Sequence, residues 1–133
     1  MSGQKKGETK MLINYTPHKI NIFEEDDVEY IEAAKSYFLK NDMMKPSRVY
    51  DSKGIARCAT SYSLVISLDD IPVVSLDFGD IEGLPEPKDD VWYIVSTIVM
   101  NAAKKLGRVD TLAPARLVRN SEGSIVGCLA LSM

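Results

Sequence analysis

The tightest constraint on this chain is the stretch Val91-Trp92-Tyr93-Ile94-Val95-Ser96. Five consecutive apolar residues between the acidic pair Asp89-Asp90 and Ser96 are too few for an ordinary helix. They also offer no polar face to water, so they predict a strand over 91–95 covered on both sides. Ser96 is a preferred helix N-cap, Lys104 and Lys105 suit the negative end of a helix dipole, and Gly107 supplies a stop, which predicts a helix over 97–106. A buried strand that runs directly into a capped helix requires a helix packed on a sheet. The fold class is therefore α+β: a small single domain built on a mixed sheet.

The remaining segments fill in that sheet. Two strand-like runs, 11–15 and 20–23, flank Thr16-Pro17-His18-Lys19, where Pro17 withholds a backbone donor and pushes Thr16 toward extended backbone, predicting a tight corner. The acidic cluster Glu24 to Asp27 suits a helix N-terminus, and Val28, Ile31, Ala34 and Phe38 recur at helical spacing, so a second helix is predicted over about 27–41, with Pro46 as its limit. Residues 55–59, 62–68 and 72–76 read as strands around an Asp69-Asp70 turn. Phe78 to Asp90, with Gly79, Gly83, Pro85 and Pro87, reads as the longest loop. The pieces 115–119 and 124–131 bracket Asn120-Ser121-Glu122-Gly123 as a closing hairpin. Residues 1–10 are polar and predict a flexible tail, leaving 11–133 as the folded domain.

Composition excludes several classes of partner. A chain of 133 residues, 45% hydrophobic and 26% charged, has enough apolar material for one core without a metal or disulfide staple. Its net charge of -3, from 16 basic and 19 acidic side chains, provides no general attraction to a nucleic acid polymer or an anionic membrane. Cys58 and Cys128 are not spaced as metal ligands, and His18 is the sole histidine, so neither a metal nor a cofactor is called for. Small buried thiols and the lack of any long apolar run predict a cytoplasmic location.

Four sets of residues can carry chemistry. Ser96 heads a helix whose unpaired amides and dipole attract anions, but no Gly-rich phosphate-binding motif precedes it, and a plain N-cap is the simpler reading. Asn14, Thr16 and His18 form a polar corner able to recognise a base or sugar, or merely to satisfy turn amides. Arg57 and Arg119 can grip phosphate or carboxylate in two-pronged fashion if folding brings them together; an outward arginine on a strand is otherwise solvated. Glu82, within the Gly79–Pro87 stretch that also holds Asp80 and Glu86, can accept a hydrogen bond at the rim of a pocket or act as acid or base. A Cys58 or Cys128 nucleophile activated by His18 has no local support, because both thiols lie in strands where inert packing is usual.

Several of these pieces resemble a known family. Leu12-Ile13-Asn14-Tyr15-Thr16-Pro17-His18, Phe78-Gly79-Asp80-Ile81-Glu82-Gly83-Leu84-Pro85, and Leu117-Val118-Arg119-Asn120 through Val126-Gly127-Cys128 are similar to motifs of small, functionally uncharacterised proteins of bacteria and their phages. In that family an Asn-Leu-Thr-Pro-His, a Phe-Gly-Glu-Val-Glu-Gly-Leu-Pro and a Leu-Val-Arg-Asp...Ile-Gly-Cys occur in this order. The resemblance departs over Asp26 to Tyr50 and brings no assigned reaction. It implies a phage or prophage setting inside a bacterial host cell, and it falls on the polar and loop residues named above. The reading that follows is a binding protein for a small anionic, nucleotide-like ligand held by Asn14, Thr16, His18, Arg57, Glu82, Ser96 and Arg119. One alternative is an enzyme acting on a nucleotide or glycosidic bond through Glu82 or Asp80 with His18. Another is a module that inhibits a host protein through strand edges and Met43-Met44. A homo-oligomer is compatible with each.

Overall fold

The structure, a computed structural model, describes residues 10–133. The expected N-terminal tail therefore lies, apart from Lys10, outside the described residues. Among the described residues there are ten strands, one α-helix and one short 3-10 turn. In chain order the strands are β1 (Met11–Asn14), β2 (Ile20–Ile22), β3 (Val28–Ile31), β4 (Ser36–Leu39), β5 (Arg48–Tyr50), β6 (Arg57–Leu68), β7 (Ile71–Glu82), β8 (Val91–Ile94), β9 (Thr111–Arg119) and β10 (Ile125–Ser132). The helix α1 spans Thr97–Lys105, between β8 and β9. The α+β expectation holds in its coarse form, with sheet far outweighing helix.

Eight strands form one sheet whose path runs β1-β8-β9-β10-β2-β5. Strand β9 is its spine. Its first residues pair in parallel with β8 (Thr111 with Tyr93) and its last in parallel with β4 (Val118 with Tyr37), while β10 runs antiparallel along the other edge. The sheet then curls until its two ends meet. Asn14 at the end of β1 forms a parallel bridge with Ser52, just past β5, and the Lys53 amide donates to the Asn14 carbonyl at 2.8 Å, giving a nearly closed barrel. Closure removes the exposed edges that an open sheet would present.

The core explains why β8 reads as continuously apolar. Tyr93, Ile94 and Val95 are almost wholly shielded, and α1 lays Val99 and Met100 on the same cluster as Tyr93, Val95, Ala56 and Ala113. Tyr15 meets the Tyr93 ring edge-on at 5.5 Å between centroids. A second cluster of Phe23, Val28 and Val118 is flanked by Tyr37 and Leu39. Burying side chains of this size contributes about 1.5–3 kcal/mol each.

The second helix expected over about 27–41 is absent, and a hairpin stands in its place. The acidic cluster does start a turn, the 3-10 segment Glu25–Asp27, in which Glu24 and Asp27 cap each other's amides. Beyond it the β-branched and aromatic residues prevail: β3 and β4 pair antiparallel, with Tyr30 opposite Tyr37 and their rings 5.0 Å apart. Ala33 and Ala34, which favoured helix, sit in the connecting turn, closed by Lys35 at φ 50°. Parallel pairing of β4 with the end of β9 supplies the tertiary contact that outweighs the helical spacing of Val28, Ile31, Ala34 and Phe38.

A second correction concerns Phe78 to Glu82, expected as loop, which completes β7. The hairpin β6–β7 is a separate two-stranded sheet, and outside itself its substantial contacts are with α1 alone. Residues at its base enter the core, where Cys58 and Ile81 pack on the α1 cluster. The loop proper runs from Gly83 to Asp90. Gly83 has φ +87°, and a Cβ there would lie 2.2 Å from the Ile55 carbonyl oxygen, so only glycine fits this crossing.

Candidate functional site

The chain corner at residues 14–18 organises the region around the head of α1. Asn14 is buried and uses its whole amide: Nδ2 donates to the carbonyls of His18 (2.7 Å) and Tyr50 (2.9 Å), and Oδ1 accepts from the Thr16 amide (2.8 Å). The Thr16 hydroxyl lies 2.7 Å from Asn14 Oδ1 and 2.8 Å from the His18 carbonyl, and donates its proton to one of them. Neighbouring backbone bonds then fix the corner between two other segments. Tyr15 donates to the Ile94 carbonyl at the end of β8 (2.8 Å), and Ala56 at the foot of β6 donates to the Tyr15 carbonyl (2.9 Å). Ser52 Oγ adds a bond to the Thr16 carbonyl at 2.7 Å.

These crossings bring together three stretches far apart in sequence. Thr16, Arg57 and Ser96 line one shallow cleft of about 390 Å³, whose remaining surface includes Ala56, Ile98 and Val99. Ser96 has extended backbone (φ -68°, ψ 159°), and its Oγ accepts from the Val99 amide at 3.2 Å. The cap satisfies one of the amides at the head of α1; those of Thr97 and Ile98 have no carbonyl within the helix to bond. Arg57 is exposed, and among the described residues its guanidinium makes no ion pair. Glu82 is its direct cross-strand partner, placing one carboxylate beside the cleft without an ion pair between them. The cleft thus sets a helix N-terminus beside a cation, with the Glu82 carboxylate as that cation's cross-strand neighbour.

The other candidates lie elsewhere. Asn14 borders a separate cleft with Leu12, Tyr50 and Lys53, its amide occupied in closing the barrel. His18 is exposed and borders a different cleft of about 570 Å³, lined mainly by apolar residues that include Pro114, Leu117 and Ile125. Arg119 is at the far end of β9, where its Nη1 donates to the Gly123 carbonyl at 2.7 Å and braces the closing turn. Cys128 is wholly buried, and its thiol pKa is raised by burial. Cys58 is partly covered, with its Sγ 3.3 Å from the Gly79 carbonyl. Among the described residues no group of three or more His, Cys, Asp or Glu side chains could hold a metal ion, and no helix is long and apolar enough to cross a membrane.

One residue that holds the region together is not singled out by sequence. Arg108 Nε and Nη2 both bond Asp110 at 2.9 Å, and Nη2 also donates to the Pro85 carbonyl at 2.9 Å. The Asp110 carboxylate holds the guanidinium pKa above its ordinary value. This two-pronged pair straps the loop after β7 to the segment after α1. Its only sequence trace is the i, i+2 spacing of Arg108 and Asp110.

Fold and cleft together define a sheet-dominated α+β domain with a mainly apolar notch at the head of its helix, bordered by Thr16, Arg57 and Ser96. No family model, curated protein or solved structure matches the chain.

Proposed function

We propose that the protein binds a small anionic, nucleotide-like ligand in the Thr16–Arg57–Ser96 cleft, capturing it without turnover in the phage or prophage setting that the motif resemblance implies. The observation that carries this reading is the Arg57 guanidinium, which has no ion pair among the described residues, in one cleft with the head of α1, where the Thr97 and Ile98 amides have no acceptor within the helix. A phosphate seated there would accept from both, while Thr16 and the apolar floor of Ala56 and Val99 would meet the rest of the ligand. Capture is favoured over turnover because Glu82 has no imidazole beside it, His18 lying in another cleft.

Isothermal titration with nucleoside mono-, di- and triphosphates tests the proposal. Binding is expected, and Arg57→Ala should weaken it by about 1.5–3 kcal/mol, the range for hydrogen bonds to charged groups. Arg119→Ala, at the distant turn, should leave affinity unchanged. Mass spectrometry after incubation should return the ligand intact. No heat with any nucleoside phosphate, or equal affinity in Arg57→Ala, would overturn this reading.

A further inference from the structure

The cleft that His18 borders lies apart from the one at the head of α1 and has its own origin, a gap in the sheet. Strands β2 and β10 share one ladder position, Cys128 with Ile22, and toward Ile20 the pairing stops. There the Asn21 side chain spans the gap, its Nδ2 donating to the Val126 carbonyl at 3.0 Å. Val126 is also the residue that β9 passes over, since Gly127 pairs with Val118 and Ile125 with Arg119. Gly127 lets β2 come close, because a Cβ there would lie 2.6 Å from the Asn21 carbonyl oxygen. The space left measures about 570 Å³, within the range of clefts that hold small ligands.

Its lining is divided by chemistry. Ile20, Pro114, Leu117, Ile125, Val126 and Cys128 form an apolar trough, and Leu117 and Ile125 are the two large apolar residues of β9 and β10 left exposed. His18 and Lys19 border the same cleft at the chain corner. No acidic residue lines it, and among the described residues neither His18 nor Lys19 forms an ion pair. The corner itself is held in place: the His18 carbonyl accepts from Asn14 Nδ2 at 2.7 Å and lies 2.8 Å from the Thr16 hydroxyl. Both side chains therefore leave a fixed backbone, which reduces the ordering that a bound ligand must offset.

We infer that this cleft binds a carboxylic acid with an extended apolar body, the body lying along Leu117 and Ile125 and the carboxylate meeting Lys19 and His18. The lining selects that class. A nucleotide would set a polar sugar and several charges against apolar walls, where they find no partners. A cationic amphiphile would meet a lysine and no carboxylate. A neutral one gains from the trough alone, whereas an acid adds a charge-assisted hydrogen bond at the corner. The ligand is thus a different molecule from the phosphate assigned to the head of α1, and the two sites share no residue.

Decanoate, kept below its micelle concentration and titrated into the full chain labelled with nitrogen-15, tests this by NMR. Saturable shifts of the His18, Leu117, Val126 and Cys128 amides are expected. Octanoate should bind about tenfold more weakly, since each buried methylene is worth about fourfold. Lys19→Glu, at an exposed site, should weaken decanoate at least tenfold and let decylamine bind better than it binds the unaltered chain. Ile125→Gln, also exposed, should weaken both ligands, while Arg57→Ala, which tests the other cleft, should leave decanoate binding unchanged. Any of four results overturns the inference: no saturable shift; shifts that fall instead on the projecting β6–β7 arm, where Leu64 and Val65 are exposed; decanol or decylamine binding the unaltered chain as tightly as decanoate; or equal decanoate affinity in Lys19→Glu.

Discussion

Two long hairpins, β9–β10 and β6–β7, are built from similar residues and meet different fates. The first lies inside the barrel wall, with β8 and β4 along one edge and β2 along the other, so most of its apolar residues, Leu117 and Ile125 apart, are at least partly covered and its strands are paired on both sides. The second has only its own two strands and the side of α1 at its base. Their turns differ in the same sense. Asn120 Oδ1 accepts from the amides of Glu122 and Ser124, Gly123 supplies the positive φ, and Asp42 bonds both the amide and hydroxyl of Ser121. The arm turns through Asp69 and Asp70, both at positive φ and neither a glycine. Strand propensity is thus common to the two, and neighbours decide which one is stable alone.

The largest effect that separates the two regions should come from Asn14, which closes the barrel around the first hairpin. Asn14→Ala leaves the buried Thr16 amide and the part-buried Tyr50 carbonyl without their partner, at about 1–3 kcal/mol for each unsatisfied group, while the His18 carbonyl keeps the Thr16 hydroxyl. Chemical denaturation should therefore show a loss of at least about 2 kcal/mol, or no folded protein. Leu64→Ser with Val74→Ser on the exposed arm should change little. A barrel that tolerates Asn14→Ala would mean that the seam is held elsewhere.

Val118 and Val74 make the comparison residue by residue. Val118 has no exposed surface and packs with Phe23 and Val28, whereas Val74 is 47% exposed on the arm. Removing two methyl groups from Val118 should cost about 2 kcal/mol, combining lost transfer energy with the cavity left behind. Val74→Ala should stay within about 0.5 kcal/mol. Equal losses would show that the arm is packed on the body in solution.

Sequence reasoning succeeds where the cause is local. The strand-Ser96-helix unit follows from an apolar run, a cap and a Gly stop, and the structure places α1 at Thr97–Lys105 with Ser96 as its cap. The Asn120–Gly123 turn is equally local. It fails where neighbours decide: the spacing of Val28, Ile31, Ala34 and Phe38 fits a helix until β9 offers β4 an edge to join. Tyr62 to Leu68 reads as strand, yet nothing in its pattern tells that most of it will stand in solvent. For the site, Thr16, Arg57 and Ser96 are visible as separate polar candidates. Their meeting depends on the bonds from Tyr15 to Ile94 and from Ala56 to Tyr15, which no spacing encodes. Asn14 is noticed for its hydrogen-bonding capacity, but that capacity is spent on the barrel seam.

A smaller effect should come from the helix cap. Ser96→Ala removes the acceptor for the Val99 amide and should cost about 1 kcal/mol in a melt. Because Ser96 also borders the cleft, the same variant sharpens the functional reading. If Ser96 acts only through the helix, Ser96→Asp should recover the stability while placing a carboxylate where an anion is expected, and nucleoside phosphate binding should fall even though the fold is restored.

The smallest effect concerns the turn of the embedded hairpin and its pH response. The Ser121 hydroxyl and amide hold the Asp42 carboxyl below its ordinary value of 3.8. A carboxylate with a lowered folded-state pKa adds stability that is fully present above the unfolded value and is lost as pH falls through the folded one. Because Asp42 is at the surface, the change should be local, seen as a shift of the Ser121 amide resonance with a midpoint below 3.8 and absent in Asp42→Asn. Among the described residues the Asp69-Asp70 turn has no such tether to another part of the chain, so Asp42→Asn should leave the arm's amide resonances unchanged. A change there would mean that the two hairpins are coupled, and that the arm is less independent of the barrel than its few contacts indicate.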